Sequence, residues 1–74
     1  MADPINAAII GLGRWGQLLV SSVDGSGAIQ FTRAVTRTPS KVEAFCFDRG
    51  LVLSDNLDDA LSDNSIDALV IATP

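Results

Sequence analysis

The stretch Ala7-Ala8-Ile9-Ile10-Gly11-Leu12-Gly13-Arg14-Trp15-Gly16 sets a G-x-G-x-x-G between a short apolar run and a helix-like pattern. Each glycine has its own mechanical use there. Gly11 permits a tight strand-to-helix turn, Gly13 lets the backbone approach a pyrophosphate, and Gly16 lets helix and strand pack closely. The free N–H groups and positive dipole end of the helix then face the anion. Alone, the pattern also occurs in flavin and some S-adenosylmethionine sites and in glycine turns without a ligand. Here a strand precedes it, a helix follows it, and the strand-helix-strand unit runs to about 30 residues, as a dinucleotide site requires.

Working outward, Ile5 to Ile10 reads as a buried parallel strand between Pro4 and Gly11. From Arg14 to Val23, Trp15, Leu18, Leu19 and Val23 follow helical spacing, and Asp24-Gly25-Ser26-Gly27 ends the run. Ala28 to Thr36 is β-branched and aromatic enough for a second strand despite Arg33. A second helix then starts either with Thr38 as cap and Pro39 in the first position, or with a Ser40/Glu43 capping box. Val42, Phe45 and Cys46 form its apolar face and Gly50 closes it. Leu51 to Leu53 is a minimal third strand, Asp55 caps a short helix through Leu61, and a fourth strand runs from Asp67 after the turn at Asp63-Asn64-Ser65. The alternation predicts an α/β partial Rossmann fold: a parallel sheet of about four strands, order 3-2-1-4, with helices on both faces. Leu69, Val70 and Ile71 then lie on an unpaired apolar edge, which stable proteins avoid. The expectation is that residues 1–74 are the N-terminal part of a dinucleotide-binding domain whose remainder, with a substrate domain, lies outside them.

Composition narrows the function. A chain of 74 residues buries only about 60% of its unfolded surface, too little for a large enzyme core. Arg14, Arg33, Arg37, Lys41 and Arg49 are scattered and the net charge is −4, so no basic patch points to nucleic acid or an acidic membrane. Met1-Ala2-Asp3-Pro4 lacks the positive start of a secretory signal, and no segment approaches the roughly 20 apolar residues of a membrane span. A cytoplasmic location is expected. Cys46 is the single cysteine, which excludes an internal disulfide or cysteine metal cluster and reads as a small apolar helix residue. No metal site is expected.

The second reader of a dinucleotide stands at the tip of strand two, where an Asp or Glu normally binds the adenosine ribose 2′-OH. Thr36-Arg37-Thr38 occupies that place. A hydroxyl and a guanidinium suit a 2′-phosphate, through charge-assisted hydrogen bonds, and point to NADP rather than NAD. Arg37 can also stack on the adenine, with Ser40 or Lys41 adding a contact; the alternative is a solvated loop charge. Arg14 is placed to lie along the pyrophosphate or nicotinamide ribose, or else in solvent. Trp15 reads as packing over the loop, and Asp58, Asp59 and Asp63 as solvated surface acids. Without histidine, no imidazole-based catalytic set is possible, and no catalytic residue is identified.

The glycine turn, Thr36-Arg37-Thr38-Pro39-Ser40-Lys41, Asp55-Asn56-Leu57-Asp58-Asp59-Ala60-Leu61 and the closing Ile66-Asp67-Ala68-Leu69-Val70-Ile71-Ala72-Thr73-Pro74 together resemble the glucose-fructose oxidoreductase, inositol dehydrogenase and rhizopine-catabolism (Gfo/Idh/MocA) family. The resemblance implies that Gly11, Leu12, Gly13, Arg14, Trp15 and Gly16 form the pyrophosphate loop. It places Thr36 and Arg37 at the family's ribose or 2′-phosphate readers, and Ala72, Thr73 and Pro74 beside the nucleotide. Many members carry Asp at the position of Thr36 and prefer NAD; the departure here resembles the NADP-using branch. The family's catalytic lysine lies in an E-K-P motif on a following strand and its other acid/base groups in a C-terminal domain, neither within this chain. The implied parent is an NADP-dependent dehydrogenase, a homo-oligomer moving a hydride to or from a sugar, cyclitol or diol. Alternatives are a non-catalytic dinucleotide-sensing regulator on the same fold and a reductase of another Rossmann family.

Overall fold

A computed structural model describes residues 3–23 and 25–72. Its elements are β1 (Ile5–Ile10), α1 (Arg14–Ser22), β2 (Ile29–Val35), a 3-10 turn (Pro39–Lys41), α2 (Glu43–Arg49), β3 (Val52–Ser54), α3 (Leu57–Leu61) and β4 (Ala68–Ile71). All pairings are parallel and the strand order is β3-β2-β1-β4, the expected partial Rossmann arrangement. β1 is the central strand, and Ala7, Ala8 and Ile9 are fully buried in it.

Two apolar clusters cover the two faces of the sheet. Ile9, Leu12 and Ala34 meet Val20 of α1 and Val42, Cys46 and Leu51 around α2 on one face. Ala8 and Val35 meet Ala60 of α3 on the other. Consecutive right-handed crossovers running outward from β1 to β3 put α1 and α2 together, and the return over β1 to β4 puts α3 opposite. Cys46 is buried, as a small apolar residue would be, and its burial pushes the thiol pKa up.

β2 accommodates its arginine through a bulge. Ala7 pairs with Phe31 and Ala8 with Arg33, leaving Thr32 as the extra residue. The bulge resets the alternation of side chains, so Phe31 and Ala34 both join the α1/α2 face while Arg33 turns to the other. There Arg33 Nε donates to Asp63 Oδ2 at 3.1 Å, tying β2 to the segment after α3. Asp63 is therefore a structural partner and not the solvated acid its surroundings in the sequence suggested. Asp58 and Asp59, by contrast, are exposed in the first turn of α3, where negative charge complements the helix dipole.

Three local expectations are corrected. The face of α1 that packs inward carries Gly16 and Val20, not Trp15, Leu18 and Leu19, which are exposed. Close approach at Gly16 orients the helix, and the larger apolar groups follow where they are carried. The second helix does not start at Thr38 or through a Ser40/Glu43 box. Thr38 and Pro39 carbonyls accept from the Lys41 and Val42 amides, making a single 3-10 turn, and α2 begins at Glu43 after the buried Val42. The cap of α3 is Asn56, whose side chain accepts from the Asp58 amide at 2.9 Å; Asp55 does not cap it. Gly50 ends α2 in the left-handed conformation, as expected.

Candidate functional site

The chain leaves β1 at Gly11, whose φ of 95° is open to glycine and strained for other residues. That turn sends the backbone over the sheet edge and into α1. A Cβ on Gly16 would overlap the Gly11 carbonyl oxygen, so the first turn of α1 sits directly on the loop. Gln17 reinforces the contact by donating from Nε2 to the Leu12 carbonyl at 3.1 Å. This loop support was missed in the sequence; its signal is an amide side chain one residue after the last motif glycine.

Gly13 is the N-cap of α1 and contributes no side-chain cap. The amides of the first helical turn consequently have no side-chain acceptor at the cap, and the turn contains no acidic residue. A Cβ built on Gly13 would meet nothing within 4 Å, and its φ of −71° suits any residue. The fold itself therefore places no demand for glycine at residue 13. The space in front of it fits a group bound against the backbone, as a pyrophosphate would be.

The strand ends next to this loop are locked together. Gly11 N–H donates to the Val35 carbonyl at 2.7 Å, Thr36 N–H to Ser54 at 3.0 Å, and Ala72 N–H to Ile10 at 2.8 Å. They form the floor of an open cleft of about 600 Å³, lined by Ile10, Gly11, Leu12, Gly13, Val35, Thr36, Arg37, Asp55, Leu57 and Ala72. The cleft lies at the carboxyl ends of the strands, where β1 is flanked by β2 and β4 and the chain reverses its direction of progress across the sheet. Open α/β sheets bind ligands at such points. A second cavity of about 610 Å³, at the opposite strand ends, is lined by residues such as Pro4, Gly25, Phe31 and Arg49 and by none of the motif residues.

Of the residues singled out in the sequence, Gly11, Leu12, Gly13, Thr36, Arg37 and Ala72 are brought together in the cleft. Gly16 stands behind the loop. Arg14 and Lys41 are exposed and do not line the cleft, and Trp15 is 72% exposed instead of packing over the loop. Thr73 and Pro74 lie outside the described residues. The Thr36 hydroxyl accepts weakly from the Thr38 amide at 3.4 Å, which turns the chain after β2. Asp55, Leu57, Ile10 and Val35 line the cleft without having been assigned to it. Among the described residues, no group of three His, Cys, Asp or Glu side chains is placed to hold a metal ion. No helix among them is long and apolar enough to cross a membrane.

Comparison with known proteins agrees with this geometry. The family model for Gfo/Idh/MocA, described as an oxidoreductase family with an NAD-binding Rossmann fold, matches residues 5–74. No curated protein sequence matches the chain significantly. Among solved structures, myo-inositol 2-dehydrogenase from Lactobacillus plantarum is 27% identical, with a TM-score of 0.83 over 97% of this chain and 22% of its own. GenD2 from gentamicin A biosynthesis, solved with NAD, is 23% identical, with a TM-score of 0.89 over 100% of this chain and 21% of its own. KijD10, a 3-ketoreductase from Actinomadura kijaniata solved with TDP-benzene and NADP, is 16% identical, with a TM-score of 0.82 over 97% of this chain and 23% of its own. The last two likenesses concern the fold alone. The chain spans 21–23% of the length of these three structures.

Proposed function

Because the chain belongs to the Gfo/Idh/MocA oxidoreductase family, with its NAD-binding Rossmann fold, we propose that it is the nucleotide-binding part of a longer NADP-dependent dehydrogenase. Its substrate is a sugar, cyclitol or diol. The observation that carries the reading is the convergence of the glycine loop with Thr36 and Arg37 on one cleft. The 27% identical myo-inositol 2-dehydrogenase among the solved likenesses favours a polyhydroxylated substrate.

When bound, the dinucleotide supplies hydride transfer at its nicotinamide. The residues of this chain hold and orient it. The amides at Gly13 and the first turn of α1 take the pyrophosphate, with the dipole of α1 adding attraction. Gln17 holds the Leu12 carbonyl back toward the helix, so the loop keeps its amides outward. Arg37 makes no hydrogen bond or ion pair among the described residues, so its guanidinium is available to a 2′-phosphate in the cleft beside it. Ala72 closes the opposite wall with a side chain small enough to leave room for the nucleotide. Catalytic acid/base groups belong to the remainder of the protein.

The test is Arg37→Ala in the protein carrying this chain. A charged hydrogen bond is worth about 1.5–3 kcal/mol, so the Michaelis constant for NADPH rises about 10- to 100-fold while that for NADH changes little. Equal changes for the two nucleotides would refute the NADP assignment.

A further inference from the structure

Asp55 lies in the cleft without a structural task. It directly follows β3, but Asn56 supplies the cap of α3, and among the described residues the Asp55 carboxylate makes no hydrogen bond or ion pair. Leu57 lines the same cleft and is 43% exposed, an apolar side chain that the core leaves uncovered.

The order of the strand ends decides what these two side chains would meet. The glycine loop leaves β1, Thr36 and Arg37 leave β2, and Asp55 leaves β3, and these strands are adjacent in that order. Neighbouring strands lie about 4.8 Å apart, so the tip of β3 is roughly 10 Å across the sheet from the tip of β1. A dinucleotide with its pyrophosphate on the loop and its ribose at β2 presents its base to β3. Adenine offers an apolar face and an exocyclic amine that only donates. An ionised carboxylate only accepts. A 6-oxopurine such as hypoxanthine replaces the amine with a carbonyl oxygen, which the carboxylate repels.

We propose that Asp55 and Leu57 form a base subsite, in which the Asp55 carboxylate accepts from the exocyclic amine of adenine while Leu57 covers the ring, selecting adenine over 6-oxopurine dinucleotides. The assignment rests on the dinucleotide reading and holds for NADP and NAD alike. The Arg37 guanidinium comes from the strand between, so the acid addresses the base and the cation addresses the ribose substituent.

Calorimetric titration of the protein carrying this chain, with NADPH, NADH and the hypoxanthine analogue of each, tests it. The wild type prefers the adenine forms by about 10-fold or more, because a carboxylate placed to accept from the amine faces a second acceptor in the 6-oxopurine forms. In Asp55→Asn the amide can turn its oxygen to an amine or its N–H to a carbonyl, and the preference falls to within about threefold at unchanged Tm. Leu57→Ser weakens both bases alike, as loss of an apolar platform should. An unchanged adenine preference in Asp55→Asn, or a wild type that binds both bases equally, overturns the role of Asp55 and leaves the dinucleotide site standing. A wild type that binds none of the four nucleotides overturns the dinucleotide reading and the base subsite together.

Discussion

Gly13 and Gly16 stand three residues apart and lack side chains for opposite reasons. Gly16 is glycine because the protein itself fills the space: a methyl group there would overlap the Gly11 carbonyl oxygen. Gly13 is the N-cap of α1 and free of protein contacts, so the packing of the chain does not require its missing side chain. Gly16→Ala should therefore lower Tm sharply, since forcing loop and helix apart costs about 1–3 kcal/mol or more. Gly13→Ala should change stability by less than about 1 kcal/mol, the difference between glycine and alanine as a cap, yet weaken nucleotide binding at least tenfold. Thermal melts beside nucleotide titrations separate the two. A Gly13→Ala protein that binds normally would show that the loop does not seat a phosphate. The same pair explains why the helical spacing of Trp15 and Leu18 does not mark the buried face of α1. Hydrophobic periodicity ranks positions by residue type, whereas the position with no side chain at all set the buried face of α1.

At the level of elements, the order of strands and helices was legible because each boundary carries a chemical sign, such as Gly11 after β1 or Gly50 after α2. The bulge in β2 carried no such sign. Thr32 is an ordinary strand residue by type, and only pairing with β1 shows that it is the extra one. The pairing of Arg33 with Asp63 follows from that reset and spans 30 positions, beyond the reach of local pattern. Similarly, Asp55 and Asn56 have nearly equal capping propensity, so neighbouring geometry chose between them and left Asp55 to the cleft. In Asp63, the Ser65 hydroxyl and amide donate to Oδ1 at 2.6 and 2.9 Å, and Arg33 donates to the other oxygen. These bonds hold its carboxyl below the ordinary range, Ser65 first. A lowered folded pKa means that the unfolded chain takes up the proton at the higher pH, so the stabilisation is complete above about pH 4. It is lost as pH falls through the depressed folded value. The stability gap between wild type and Asp63→Asn, measured by urea unfolding, should stay constant from neutrality to about pH 5 and close below about pH 4. A gap that persists unchanged to pH 2 would show that the carboxylate charge is not what binds the segment after α3 to β2.

For the whole molecule, the sheet has unequal edges. β3 is only three residues long, and a short edge offers little template for another strand. β4 is held to β1 on one side, with the Asp67 carboxylate accepting from the Asn6 amide at 3.0 Å where the strand starts. Its other edge has no partner among the described residues, and Ile71 of this strand is 70% exposed. Exposed apolar side chains on α1, such as Trp15 and Leu18, add to the surface open to cover. In the proposed dehydrogenase the remainder of the protein supplies it. The 74-residue chain produced by itself should then associate as its concentration rises, and Ile71→Lys should suppress this, since an edge lysine blocks strand addition. In the longer protein the same change should instead lower stability by about 1–3 kcal/mol, because the charge enters a covered position. Sedimentation velocity of the chain and denaturant unfolding of the longer protein read the two effects. Opposite signs from one substitution identify a surface buried within the parent protein; a chain that stays monomeric at millimolar concentration, with Ile71→Lys neutral in both settings, would show that β4 needs no neighbour.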